Sequence, residues 1–173
     1  PSHPEASPLR APDLAGVANM AKIEAAIGVQ ADPVRRLGAL AVRVAEDAER
    51  LWQRLRLSNA EHERLASMAE ARWRVALNGE KVAGALLYRL GPERFGDRVL
   101  LAWSRAWPQG EHDAAWRAMA SLPARWIAPL FPLKAADFVD RGMAKGPALG
   151  AAIRAAEDAW IAADFPGDSA AIA

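Results

Sequence analysis

Apolar residues recur at three- and four-residue intervals through nearly all of this chain, and that spacing confines it to helices packed face to face. The stripe Val34, Leu37, Ala41, Val44 is one instance, and Leu149, Ile153, Ala156, Trp160 is another. Between them lie Ala, Leu, Arg and Glu, which are strong helix formers. Strand chemistry is missing: the 173 residues include no Thr, and no two-residue hairpin signal interrupts them. The expected fold is all-α, an irregular array of about eight to nine helices.

Caps and breakers mark the boundaries. Pro1, Pro4, Pro8 and Pro12 make residues 1–12 an extended lead-in. A first helix is predicted over 13–27, stopped by Gly28. A second opens at Asp32-Pro33, an N-cap with proline at the first helical position. A third carries Ala48, Leu51, Trp52 and Leu55. Ser58 and Glu61 form a capping box for the next, which aligns Leu65, Met68, Ala69, Trp73, Ala76 and Leu77 before stopping at Asn78-Gly79. A helix over 82–90 should end at Gly91-Pro92. The run Val99-Leu100-Leu101-Ala102-Trp103, apolar all round, predicts a central buried helix. Beyond Pro108-Gln109-Gly110 come a helix over 111–122, a proline-punctuated connector over 123–132, and two helices over 134–141 and 147–163. No repeat period is present. The implied division is a helical body over 13–122, a connector and two-helix tail over 123–165, and a loose end over 166–173.

Composition narrows the function classes. Apolar residues make up 52% and charged residues 25%, enough to bury a core, which argues against disorder. The absence of Cys excludes disulfides and thiolate chemistry and is compatible with a reducing cytoplasm, the expected location. No apolar stretch approaches the length of a membrane helix, so no membrane partner is expected. The start, Pro1-Ser2-His3-Pro4, shows neither an initiator Met nor a signal-peptide pattern, and the chain reads as part of a longer protein.

Catalytic and metal-binding residues are expected to be absent. His3, His62 and His112 have no companions at metal-ligand spacing, and His112-Asp113 fits the first turn of a helix better than a metal site. Nucleophile elbows, phosphate loops and dinucleotide fingerprints are missing. The charge run over 46–50 reads as a solvated helix face with Glu46 paired to Arg50.

One constellation differs. Two helices meet at a short glycine-bounded turn: Gly142 can end the first, and Gly146-Pro147 opens the second. A helix N-terminus suits a phosphate, and Lys134, Arg141 and Lys145 supply positive charge around it. Modules that hold nucleic-acid backbone without reading sequence use this logic. Spacing alone favours the plainer reading, a tight helical corner with solvated lysines.

The residues Phe131-Pro132-Leu133, Asp137-Phe138, Gly142, Gly146-Pro147, Gly150, Ile153, Glu157, Trp160-Ile161 and Asp164-Phe165 resemble, in order and spacing, the C-terminal signature of class II tRNA nucleotidyltransferases and related bacterial poly(A) polymerases. The segments over 32–37, 54–61, 88–95 and 99–103 extend the resemblance over most of 13–165, in the style of the alphaproteobacterial branch. Lys134-Ala135 stands where the family often has Thr-Gly, and Phe138 where it often has Leu. Asp32-Pro33-x-Arg35 is superficially similar to a neck motif, but Gly38 occupies the place of a recurring arginine.

The resemblance implies an RNA-holding region whose partner is the acceptor and T-arm backbone of tRNA. RNA contacts are then expected from Lys134, Arg141, Lys145 and Gly146, with Arg154 nearby and Arg35 and Arg36 as weaker candidates. It also implies a catalytic head, carrying Gly-Ser and Asp-x-Asp motifs and two Mg²⁺ ions, that this sequence lacks; no cofactor is expected here. CCA addition and polyadenylation both stay open. A net charge of +1, from 22 Lys and Arg against 21 Asp and Glu, would not by itself suggest RNA. The competing reading is a protein-interaction or dimerisation module, motivated by seven tryptophans.

Overall fold

A computed structural model of the chain describes residues 11–70, 79–107 and 113–167. Among them are eight helices and no strand: α1 Leu14–Ala26, α2 Pro33–Ala41, α3 Ala45–Leu55, α4 Asn59–Glu70, α5 Glu80–Ala106, α6 Asp113–Arg125, α7 Ala135–Asp140 and α8 Pro147–Ala162. No described helix is long and apolar enough to cross a membrane.

The caps behave as the sequence predicts. Asp32 accepts from the Arg35 backbone N–H at 2.8 Å ahead of Pro33. Glu61 accepts from the Ser58 N–H at 2.8 Å, and Ser58 Oγ accepts from the Glu61 N–H at 3.3 Å. The break at Gly91-Pro92 is real: Gly91 has φ 75°, and α5 kinks there before continuing to Ala106.

Other boundaries differ for local reasons. Helix α2 ends at Ala41, so Val44 is not on its stripe; Val42 takes the buried place and Val44 is an exposed N-cap of α3. Proline at 123 does not open the connector. It lies inside α6, whose last turn continues as Trp126 donates to the Leu122 carbonyl at 2.9 Å. A proline so near a C-terminus forfeits one hydrogen bond, and burial of Leu122 holds the turn in place. Arg50 pairs with Asp47 at 2.7 Å rather than with the Glu46 carboxylate, because Asp47 already faces inward to cap α3. Trp73, Ala76, Leu77, Asn78, Pro108, Gln109, Gly110, Glu111 and His112, with residues 1–10 of the lead-in and 168–173 of the loose end, lie outside the described residues.

Val99, Leu100, Leu101, Ala102 and Trp103 are all buried, so the second half of α5 is the central element the sequence suggests. It packs against α1, α2, α4 and α6. Helices α2 and α4 approach closely at Gly38, where a Cβ would lie 2.6 Å from Met68 Sδ. A side chain at that point would have to displace the end of the buried Met68 side chain.

A buried ionic network ties these helices together. Asp97 on α5 is fully buried and accepts from Arg35 Nε of α2 at 3.0 Å. The same carboxylate accepts from Arg64 of α4 at 2.7 and 2.9 Å. Glu24 of α1, also buried, takes Arg35 and Arg36, each at 2.9 Å. Asp32 closes the ring on Arg64 at 3.0 Å. Burial pushes the Asp32 carboxyl up, but the Arg35 N–H and the Arg64 guanidinium outweigh it and hold the group below its ordinary value. The hydrogen bond to Asp97 raises Arg64 above the usual arginine value. Removing one member of such a network strands buried charge. Asp97→Ala should therefore lower stability by about 3–5 kcal/mol in urea titration. Glu63→Ala, which removes the exposed partner of Arg94, should cost no more than about 1 kcal/mol.

Candidate nucleic-acid interface

Helices α7 and α8 pack on each other and lie outside the main core cluster, whose buried residues run from Met20 to Leu122. Aromatic packing fastens them to α5. Trp160 of α8, almost fully buried, contacts Tyr88, Phe131 and Phe165 with ring centroids 5.6, 5.3 and 5.0 Å away. Phe165 also packs on Trp126 at 5.7 Å. To reach that position the chain turns left-handed at Asp164 and Phe165, with φ 69° and 60°. Neither residue is glycine, so the turn is strained by roughly 1–2 kcal/mol per residue, and the aromatic contacts offset it.

The turn over 141–146 forms as the glycine spacing implies. Gly142, at φ 91°, donates to the Val139 carbonyl at 2.9 Å, and Met143 donates to the Phe138 carbonyl at 3.1 Å. Gly146 has φ 155° and ψ −170°, a region that residues with a Cβ scarcely enter, and Pro147 follows as the first residue of α8. Lys134, Arg141, Lys145 and Arg154 are all exposed. None of the four joins an ion pair among the described residues. Asp137 is turned onto the Lys134 backbone N–H at 2.6 Å. Arg154 folds back along α8: a Cβ at Gly150 would lie 3.5 Å from its Nη1. Its guanidinium thus lies one turn from Gly146, while Lys134 sits roughly 10 Å from Arg141 along the axis of α7.

Four cations and Gly146 therefore share the two-helix tail, where the N-terminal end of the α8 dipole adds partial positive charge. Arg35 and Arg36 are elsewhere. The Arg35 side chain is 10% exposed and bound to Glu24 and Asp97, so it is a core residue with no reach to a phosphate. Arg36 is more open but is bound to Glu24. Residues outside the expected RNA contacts also face the tail: Tyr88 and Arg89 of α5 bond to Glu157 and Asp158 of α8 at 2.7 and 2.9 Å. Two adjacent pairs 69 positions apart leave no local signal.

His62 and Asp113 have structural partners. His62 stacks on Trp52 at 4.6 Å and lies 3.2 Å from Glu49, and Asp113 opens α6 and accepts from Arg117 at 2.8 Å. Among the described residues no three His, Asp or Glu side chains are placed to hold a metal ion. The buried carboxylates Glu24 and Asp97 are matched by arginines. Mg²⁺ does not fit this set of donors.

No family model matches the chain. It is similar to the "uncharacterized 28 kDa protein in petA 5′ region" of Rhodospirillum rubrum, with 38% identity over 102 residues. The match takes in 56% of this chain and 40% of the relative, so the chain spans less than half of the relative's length. That name states no activity.

A Cβ at Gly146 would meet no neighbouring atom, so Gly146→Ala perturbs the backbone alone. The substitution should destabilise the tail by about 1–3 kcal/mol. Hydrogen exchange should speed up in the first turn of α8 and stay unchanged in the central part of α5.

Proposed function

We propose that this chain holds RNA, with the acceptor and T-arm of tRNA as its preferred form, as the positioning region of a nucleotidyltransferase that extends RNA 3′ ends. CCA addition and polyadenylation both accord with that role. The observation that carries the reading is the α7–α8 pair, along which Lys134, Arg141, Lys145 and Arg154 are exposed and free of ion pairs among the described residues. Elsewhere in the structure arginines are mostly bound to carboxylates, as at Arg35, Arg64 and Arg98. The family resemblance supports the same reading. Its residues Phe131, Trp160 and Phe165 make the aromatic cluster, and its Gly142 and Gly146-Pro147 make the turn.

The tail's contribution is geometric. Cations and a helix N-terminus bind phosphate whatever the base sequence, which suits a protein that must hold many RNAs by one region. Fixing the RNA body turns the encounter between a 3′ end and a catalytic centre into an oriented one. The resemblance assigns catalysis to a head with Gly-Ser and Asp-x-Asp motifs; neither occurs in these 173 residues.

A second reading has one observation behind it. Ile127 and Leu130, in the connector, are 91% and 90% exposed, as apolar residues at a protein interface would be.

Two measurements separate the readings. On the RNA reading, tRNA affinity falls steeply with salt, and Lys134→Ala and Lys145→Ala each lower the logarithmic slope by about 0.7–0.9. A flat salt dependence, or slopes unmoved by both substitutions, would sink it. In sedimentation the chain should stay monomeric as concentration rises; self-association abolished by Ile127→Ser would favour the interaction module instead.

A further inference from the structure

Between the first half of α5 and α8 runs an open groove of about 480 Å³, lined by Tyr88, Arg89, Arg154, Glu157, Asp158 and Ile161. Its polar groups are of both signs. The Tyr88 hydroxyl donates to Glu157 Oε1 at 2.7 Å, and Arg89 Nη2 donates to Asp158 Oδ1 at 2.9 Å. Each bond engages one carboxylate oxygen. Glu157 Oε2 and Asp158 Oδ2 accept no hydrogen bond from the described residues. Burial and the Glu157 carboxylate push the Tyr88 phenol up to about 12, so at neutral pH it stays a donor. Arg154 lies on the rim, free of ion pairs among the described residues and folded toward the α7–α8 turn.

A bare anion does not suit this groove, because Glu157 and Asp158 would repel it. A purely apolar group would leave the guanidiniums and carboxylates without complement. A ribonucleotide matches both kinds of charge: its phosphate suits a guanidinium, and its ribose hydroxyl can donate to a carboxylate oxygen. Carboxylates read ribose hydroxyls in the same way in dinucleotide-binding folds. The volume is within the range of small-molecule sites.

We propose that this groove is a ribonucleotide subsite, in which Asp158 accepts from a ribose 2′-hydroxyl, Glu157 adds negative charge beside it, and Arg154 holds the adjoining phosphate. The proposal rests on the RNA-holding reading and adds to it the group that distinguishes RNA from DNA. Continuity favours it, since Arg154 belongs to both the groove and the cationic turn one helical turn away.

The test uses the whole chain and one hairpin sequence, shaped as an acceptor–T-arm minihelix, in three forms: RNA, fully 2′-O-methylated RNA, and DNA. The methylated form keeps the A-form shape but cannot donate from the 2′ position. Unmodified RNA should bind about tenfold more tightly than either other form, as the loss of a hydrogen bond to a charged acceptor predicts. Asp158→Ala, at a side chain 68% exposed, should shrink that preference to about twofold or less without altering thermal unfolding of the body. Glu157→Gln should shrink it in the same direction. Equal binding of RNA and methylated RNA overturns the subsite and leaves the RNA reading standing; so does a preference untouched by both substitutions. Failure to bind any of the three overturns both.

Discussion

Asp97 is the point on which the helical body turns. A carboxylate with no exposed surface has to be matched within the protein, and here two guanidiniums from two other helices match it. Those arginines reach onward to Glu24 and Asp32, so the positions of α1, α2, α4 and α5 are specified by charge as well as by apolar contact. Apolar faces alone tolerate small slides and rotations, whereas paired hydrogen bonds from Arg64 to Asp97 do not. The network fixes a register that a core of Leu, Val, Met and Ala would leave looser.

Much of the fold could be read from the sequence because its signals are local. The capping residues Asp32 and Ser58 act within three positions of themselves, and the run over 99–103 announces its burial by having no polar face. Boundaries failed where a distant partner decided the matter. Val44 fits a helical stripe by spacing, yet Val42 has the buried place, and Pro123 looks like a breaker until Leu122 is seen to anchor its turn.

The candidate site shows the same limit. The glycine-bounded turn with Lys134, Arg141 and Lys145 was legible because glycine, proline and lysine mark it within a dozen residues. Arg35 could not be separated from these by type. Only the structure shows it committed to Glu24 and Asp97, whose sequence separations from it are 11 and 62. That Tyr88 meets Glu157 across 69 positions was invisible for the same reason. Buried arginines that hold helices together and exposed cations on the tail carry the same formal charge, and a net charge of +1 does not tell them apart.

The aromatic cluster has a consequence for the order in which the chain acquires its structure. The buried residues of the main core are complete once Leu122 has been synthesised, whereas Tyr88 must wait for Glu157, Trp160 and Phe165. During translation the body can close while that side of α5 is still bare, and the tail then docks on a surface already formed. Premature termination after α6 would remove Trp126, Phe131, Trp160 and Phe165 together and leave Tyr88 uncovered on a body whose core is complete.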